Sequence, residues 1–153
     1  MKLVRQKDGL WQYHLVQNET GVLVGLLKKF PFTKTAPVKI SRTDKHPKAR
    51  ERENLLNESL AEHRKELKRS AQDLIHPDKL KQQEKGWLMT LSLEERETML
   101  QILNDIRVGS WRALGEPEDL HTKAPQPGAQ EPVYRSLMDL AGYFECGLLE
   151  PGA

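Results

Sequence analysis

The sequence predicts a mainly α fold, an N-terminal β-hairpin packed on a bundle of about four helices. Apolar residues recur at steps of three and four along several long segments, the spacing that gathers them on one side of a helix. Two short runs of aliphatic and aromatic residues flank Asp8-Gly9, a strong hairpin-turn signal. Prolines and glycines fall mainly between these segments, where they punctuate the chain.

A chain of 153 residues is the size of one domain, with no repeat or low-complexity tract to divide it. Hydrophobic residues make up 37% and charged residues 30%, polar for a globule but with the periodicity of an ordered one. No apolar run reaches the roughly 18 residues of a membrane span. Met1-Lys2-Leu3-Val4-Arg5 becomes charged too early for a secretory leader. The single Cys146 excludes an internal disulfide and a multi-cysteine zinc site, which fits a reducing compartment. The expectation is a cytoplasmic protein without a membrane partner.

Residues 1–15 read as the hairpin, with Trp11, Tyr13 and Leu15 on its inward face by period-two alternation. A short buried helix follows over 18–30: Asn18 is its expected cap, Lys28 and Lys29 occupy its last turn, and Pro31 stops it. Residues 31–46 read as a basic loop. Pro47 suits the first turn of a long helix over 47–75, which Pro77 limits. Leu56, Leu60, His63, Leu67, Ala71 and Leu74 form a narrow stripe on it, facing either the chain's own core or a second copy. Pro77 is expected to open a helical turn, Asp78 to Lys85, ended by Gly86. Ser92-Leu93-Glu94-Glu95 is a capping box that starts a helix over 92–114, with Leu100, Leu103, Ile106, Trp111 and Leu114 inside. Beyond a Pro/Gly-rich loop, a C-terminal helix covers 131–146, burying Val133, Leu137, Leu140, Ala141 and Phe144, with Gly147 as its cap.

Charge is unevenly spread. Residues 1–50 carry +8, residues 51–100 carry −2 and the rest −4, for a net +2. Between Lys28 and Arg50 stand eight basic residues against Asp44 alone. Lys28, Lys29, Lys34, Lys39, Arg42 and Lys45 form the candidate basic patch, which either meets an anionic partner or folds back on the acidic half.

The chemistry-bearing residues do not converge into a recognisable catalytic motif. No two of the five histidines stand three or four apart, so zinc ligands at helical spacing are absent. Neither a Gly-x-Ser-x-Gly elbow nor a glycine-rich phosphate loop is present. His63 reads as a core or interface residue of its stripe, and Cys146 as an ordinary buried or half-buried one. The expectation is therefore no cofactor and no metal. One constellation stands out: Asn104, Arg107 and Trp111 on the 92–114 helix. Arg107 points partly into the apolar stripe, where a guanidinium needs a carboxylate or carbonyl partner and Trp111 can stack on it. It pins neighbouring structure to this helix, or with Asn104 it binds an anion.

Leu103-Asn104-Asp105-Ile106-Arg107, followed by Leu114-Gly115, resembles the closing helix motif of an uncharacterised bacterial family of unknown function, often encoded beside the Clp protease adaptor ClpS. The placement of Ala61-Glu62-His63-Arg64-Lys65-Glu66-Leu67 and of the helix near Asn18-Glu19 is similar, so the resemblance spans roughly residues 10–115. This chain departs from it by a further loop and helix after Gly115. The resemblance implies a small cytoplasmic helical protein of no assigned activity, linked to regulated proteolysis by gene neighbourhood alone.

The leading expectation is a non-enzymatic protein-interaction or regulatory module, its partner another protein or a second copy. The alternative is a nucleic-acid-binding protein using residues 28–50. An enzyme with a dispersed site around Asn104 and Arg107 ranks third.

Overall fold

In the computed structural model, which describes residues 1–33, 47–118 and 130–151, Asp8 and Gly9 both take positive φ, 54° and 73°. They form the two-residue turn that this pair favours, leaving Lys7 paired with Leu10. Strands β1 (Lys2–Lys7) and β2 (Leu10–Leu15) are thus the expected hairpin. It is not alone. β3 (Leu80–Gln82) and β4 (Trp87–Ser92) complete a four-stranded antiparallel sheet in the order β1-β2-β4-β3.

The second hairpin replaces the helical turn expected over Asp78–Lys85. β3 is a three-residue edge strand with only Leu80 buried, too short to display an alternation. Gly86 turns the chain at φ 87°, and a Cβ there would lie 2.4 Å from the Leu15 carbonyl oxygen, so no side chain fits. β4 lies alongside β2, pairing Tyr13 with Met89 and Trp11 with Leu91. Tyr13, Leu15, Met89 and Leu91 are fully buried, so the inward face read from β2 alternation is the core face of the whole sheet.

Helix α1 (Gln17–Lys29) begins after Val16, not Asn18. Val16 offers no side-chain cap, and its own N–H is taken by Glu19 Oε2 at 2.8 Å. Thr20, Leu23, Leu26 and Leu27 are buried while Gly21 and Val22 are exposed, so one side of α1 meets water. The Phe30–Pro31 peptide that follows is cis. Helix α2 (Pro47–Leu74) has the expected extent. Its stripe divides in two. Leu67, Ala71 and Leu74 enter the core, whereas Leu56 is 39% exposed and His63 is exposed instead of buried.

Helix α3 (Leu93–Ala113) follows β4 without a loop, since Ser92 ends the strand and caps the helix. Its interior is broader than one stripe. Met99, Ile102, Leu103, Ile106 and Ser110 are buried, while Leu100, Trp111 and Leu114 are only partly so. Helix α4 (Glu131–Leu149) passes through Gly147 instead of ending there. A Cβ on Gly147 would meet the Met1 carbonyl oxygen at 3.0 Å; the glycine provides a close approach, not a cap. Leu137, Ala141, Phe144 and Leu148 are buried, but Val133 is 55% exposed. Cys146 is exposed on the outer side of this helix, contrary to expectation. Among the described residues no helix is long and apolar enough to cross a membrane.

The capping box has a consequence for acid stability. Burial raises the Glu95 carboxyl, but Lys79 at 2.5 Å and the Ser92 N–H at 2.8 Å outweigh it and hold the group below its ordinary 4.5. A depressed folded-state value means that the stabilisation is complete above 4.5 and fades as pH falls through the folded value. Melting temperature should therefore drop on acidification below about pH 4.5. Glu95→Gln should flatten that drop in melts taken from pH 5.5 to pH 3.

Candidate functional site

Helices α2 and α3 leave between them a cleft of about 840 Å³. Leu60, His63, Arg64 and Leu67 supply the α2 wall, and Gln101, Asn104, Asp105 and Val108 the α3 wall. Phe32 and Thr33, leaving α1, and Tyr134 at the start of α4 also line it. Leu67, Ala71 and Leu74 hold the C-terminal third of α2 in the core, whereas the positions before them are exposed or only half-buried.

An ion pair crosses the cleft. Arg64 Nη2 donates to Asp105 Oδ1 at 2.9 Å and to Thr33 Oγ1 at 3.3 Å, joining α2, α3 and the segment after α1. Thr33 reaches that position only because residue 109 is glycine. A Cβ on Gly109 would sit 2.5 Å from Thr33 Oγ1. The polar rim is carried by Gln101 and Asn104, exposed and one turn apart on α3, with His63 opposite and Arg112 further on. Phe32, Leu60 and Val108 provide half-buried apolar surface between, above the buried Leu67.

The structure separates the three residues that the sequence grouped. Asn104 lines the cleft. Arg107 turns away from it toward α4, where Nη1 donates to Glu145 Oε2 at 2.6 Å. The sequence placed a desolvated Arg107 in an apolar stripe; its side chain is 49% exposed, and the buried member of the pair is Glu145, at 11%. Asn104 thus lines the cleft, while the neighbouring Arg107, one turn on, has its guanidinium engaged by Glu145. Trp111 donates its indole N–H to the Pro117 carbonyl at 3.1 Å, which ties the turn after α3 back onto the helix. Lys28 and Lys29 are exposed at the end of α1, and Lys34, Lys39, Arg42 and Lys45 lie outside the described residues.

Chemically the cleft suits recognition. It offers carboxamides, one imidazole and the Arg64–Asp105 ion pair around an apolar floor, the mixture that holds an amphipathic segment. Among the described residues no group of three His, Cys, Asp or Glu side chains is placed to hold a metal ion. Comparison with known proteins finds no family model, no curated protein and no solved structure that matches the chain.

Proposed function

We propose that the protein is a non-catalytic interaction module whose binding surface is the α2–α3 cleft. The observation that carries this reading is the half-buried apolar floor of Phe32, Leu60 and Val108, left partly accessible between two helices and rimmed by Gln101 and Asn104. Apolar contact supplies affinity in such a cleft, and the carboxamides select an occupant able to satisfy them. A place in regulated proteolysis follows only from the resemblance of the Asn104–Arg107 segment to the ClpS-neighbour family.

A photo-crosslinking amino acid in place of Asn104, expressed in the native cell, tests the proposal. Asn104 is exposed in the cleft, whereas Glu94 is exposed at the start of α3 and does not line it. A discrete protein adduct is expected from position 104 and not from position 94. No adduct, or the same adduct from both, would overturn the reading.

A second reading draws on Lys28 and Lys29, both exposed, at the head of a segment with eight basic residues against one acidic. Binding through phosphates predicts that log affinity for RNA or DNA falls steeply with log salt, and that neutralising Lys28 and Lys29 together lowers the slope by about two. Absence of binding at low salt, where the attraction is strongest, removes this reading.

A further inference from the structure

We infer that the occupant of the cleft is a second copy of this chain, each copy laying the N-terminal half of its α2 antiparallel into the other's cleft. The inference rests on the binding reading above. The buried residues of α2, Leu67, Ala71 and Leu74, lie in its last eight positions. The twenty positions before them span roughly 30 Å at 1.5 Å per residue. The α2 wall of the cleft includes Leu60, His63 and Leu67. Continued toward the N-terminus, the same face is Leu56, Glu53 and Ala49, at the alternating steps of three and four that mark a helix–helix seam.

That seam is complementary to its own reverse. An antiparallel pair centred on Glu58 sets Glu53 level with His63 and Leu56 with Leu60, and brings Ala49 to the end of the cleft where Leu67 is already buried in the core. A carboxylate meets an imidazole and leucine meets leucine, while the small Ala49 lets the helices approach at the end of the cleft. Two-fold symmetry repeats each layer. Beside the seam, Arg52 falls next to Glu66 of the second copy. Arg50 falls next to Arg64, whose charge is already met by Asp105 at 2.9 Å. Glu58 itself points away from the partner. A parallel pair would instead set Glu53 against Glu53, so charge selects the antiparallel arrangement. The size agrees as well: 840 Å³ is on the order of two turns of a helix about 10 Å across, and Ala49 to Leu56 is about two turns.

Sedimentation equilibrium of the full chain over a concentration series tests the inference. A monomer–dimer equilibrium is expected, with Leu56→Glu raising the dissociation constant roughly a hundredfold because two leucine contacts are lost by symmetry. Leu56 is exposed and Glu is a good helix former, so helicity should be unchanged. Glu53→Lys should weaken the dimer and Glu53→Lys with His63→Glu should restore it. The two positions stand about 15 Å apart on one helix, so rescue reports contact between copies. A monomer at every concentration, a dimer indifferent to Leu56→Glu, or a double variant no better than Glu53→Lys overturns the inference. A monomeric chain that still forms an adduct with another protein at position 104 overturns self-pairing while leaving the cleft as a binding site. Loss of both overturns both.

Discussion

Tyr13→Ala should lower the melting temperature by on the order of 10 °C, as expected when truncating a fully buried aromatic side chain in a chain of this size costs about 3–5 kcal/mol. The loss is larger than a cavity alone. The Tyr13 hydroxyl accepts from Arg96 Nε at 3.0 Å and donates to the Leu148 carbonyl at 3.3 Å, while Arg96 Nη2 bonds the same carbonyl at 2.7 Å. Sheet, α3 and the end of α4 meet at that point. Tyr13→Phe keeps the ring and removes only the hydroxyl, and should cost about 1 kcal/mol. Thermal melts of the two variants separate the packing contribution from the polar one. A Tyr13→Phe variant as stable as the parent would show that the sheet is not anchored through this hydrogen-bonded junction.

Arg107→Met should destabilise by about 2–3 kcal/mol, less than for a pair buried on both sides, because the guanidinium is half exposed while its carboxylate partner is not. Glu145 Oε1 is buried with no protein hydrogen-bond partner among the described residues, so Arg107 is the charge that offsets this carboxylate. Methionine keeps the length of the stem and leaves the carboxylate without that compensation. Replacing both residues by apolar ones should recover much of the loss, since the cost lies in the stranded charge. The side chain faces α4 and not the cleft, so the Asn104 adduct should persist in Arg107→Met below its melting temperature. Loss of the adduct without loss of stability would assign Arg107 to binding after all.

The elements legible in the sequence are those whose signals are local. Asp8-Gly9 sets its turn through two positive-φ residues, and Ser92 with Glu95 closes a capping box, so the first hairpin and the start of α3 follow from neighbouring positions. β3 and β4 were hidden because their evidence is tertiary. Leu80 is the single inward residue of β3, and β4 is recognisable as a strand chiefly through its pairing with β2. Arg107 was legible as a paired residue but not as an exposed one. Its partner lies 38 positions away on a helix whose rotation about α3 no local pattern fixes. The cleft was less legible still. Its α2 wall is the upper part of the stripe at Leu60, His63 and Leu67, which periodicity identified as apolar without showing where packing stops. Gly109 was the available hint: a glycine inside a helix marks a close approach, here that of Thr33.

Val108→Lys, introduced with the photo-crosslinker at position 104, tests the binding surface most directly. Val108 is a half-buried residue of the cleft floor, and lysine can carry its charge to water along a flexible stem, so melting should change little. The account predicts that the adduct disappears while the melting curve stays within a few degrees of the parent. An undiminished adduct in a fully folded Val108→Lys variant would contradict it.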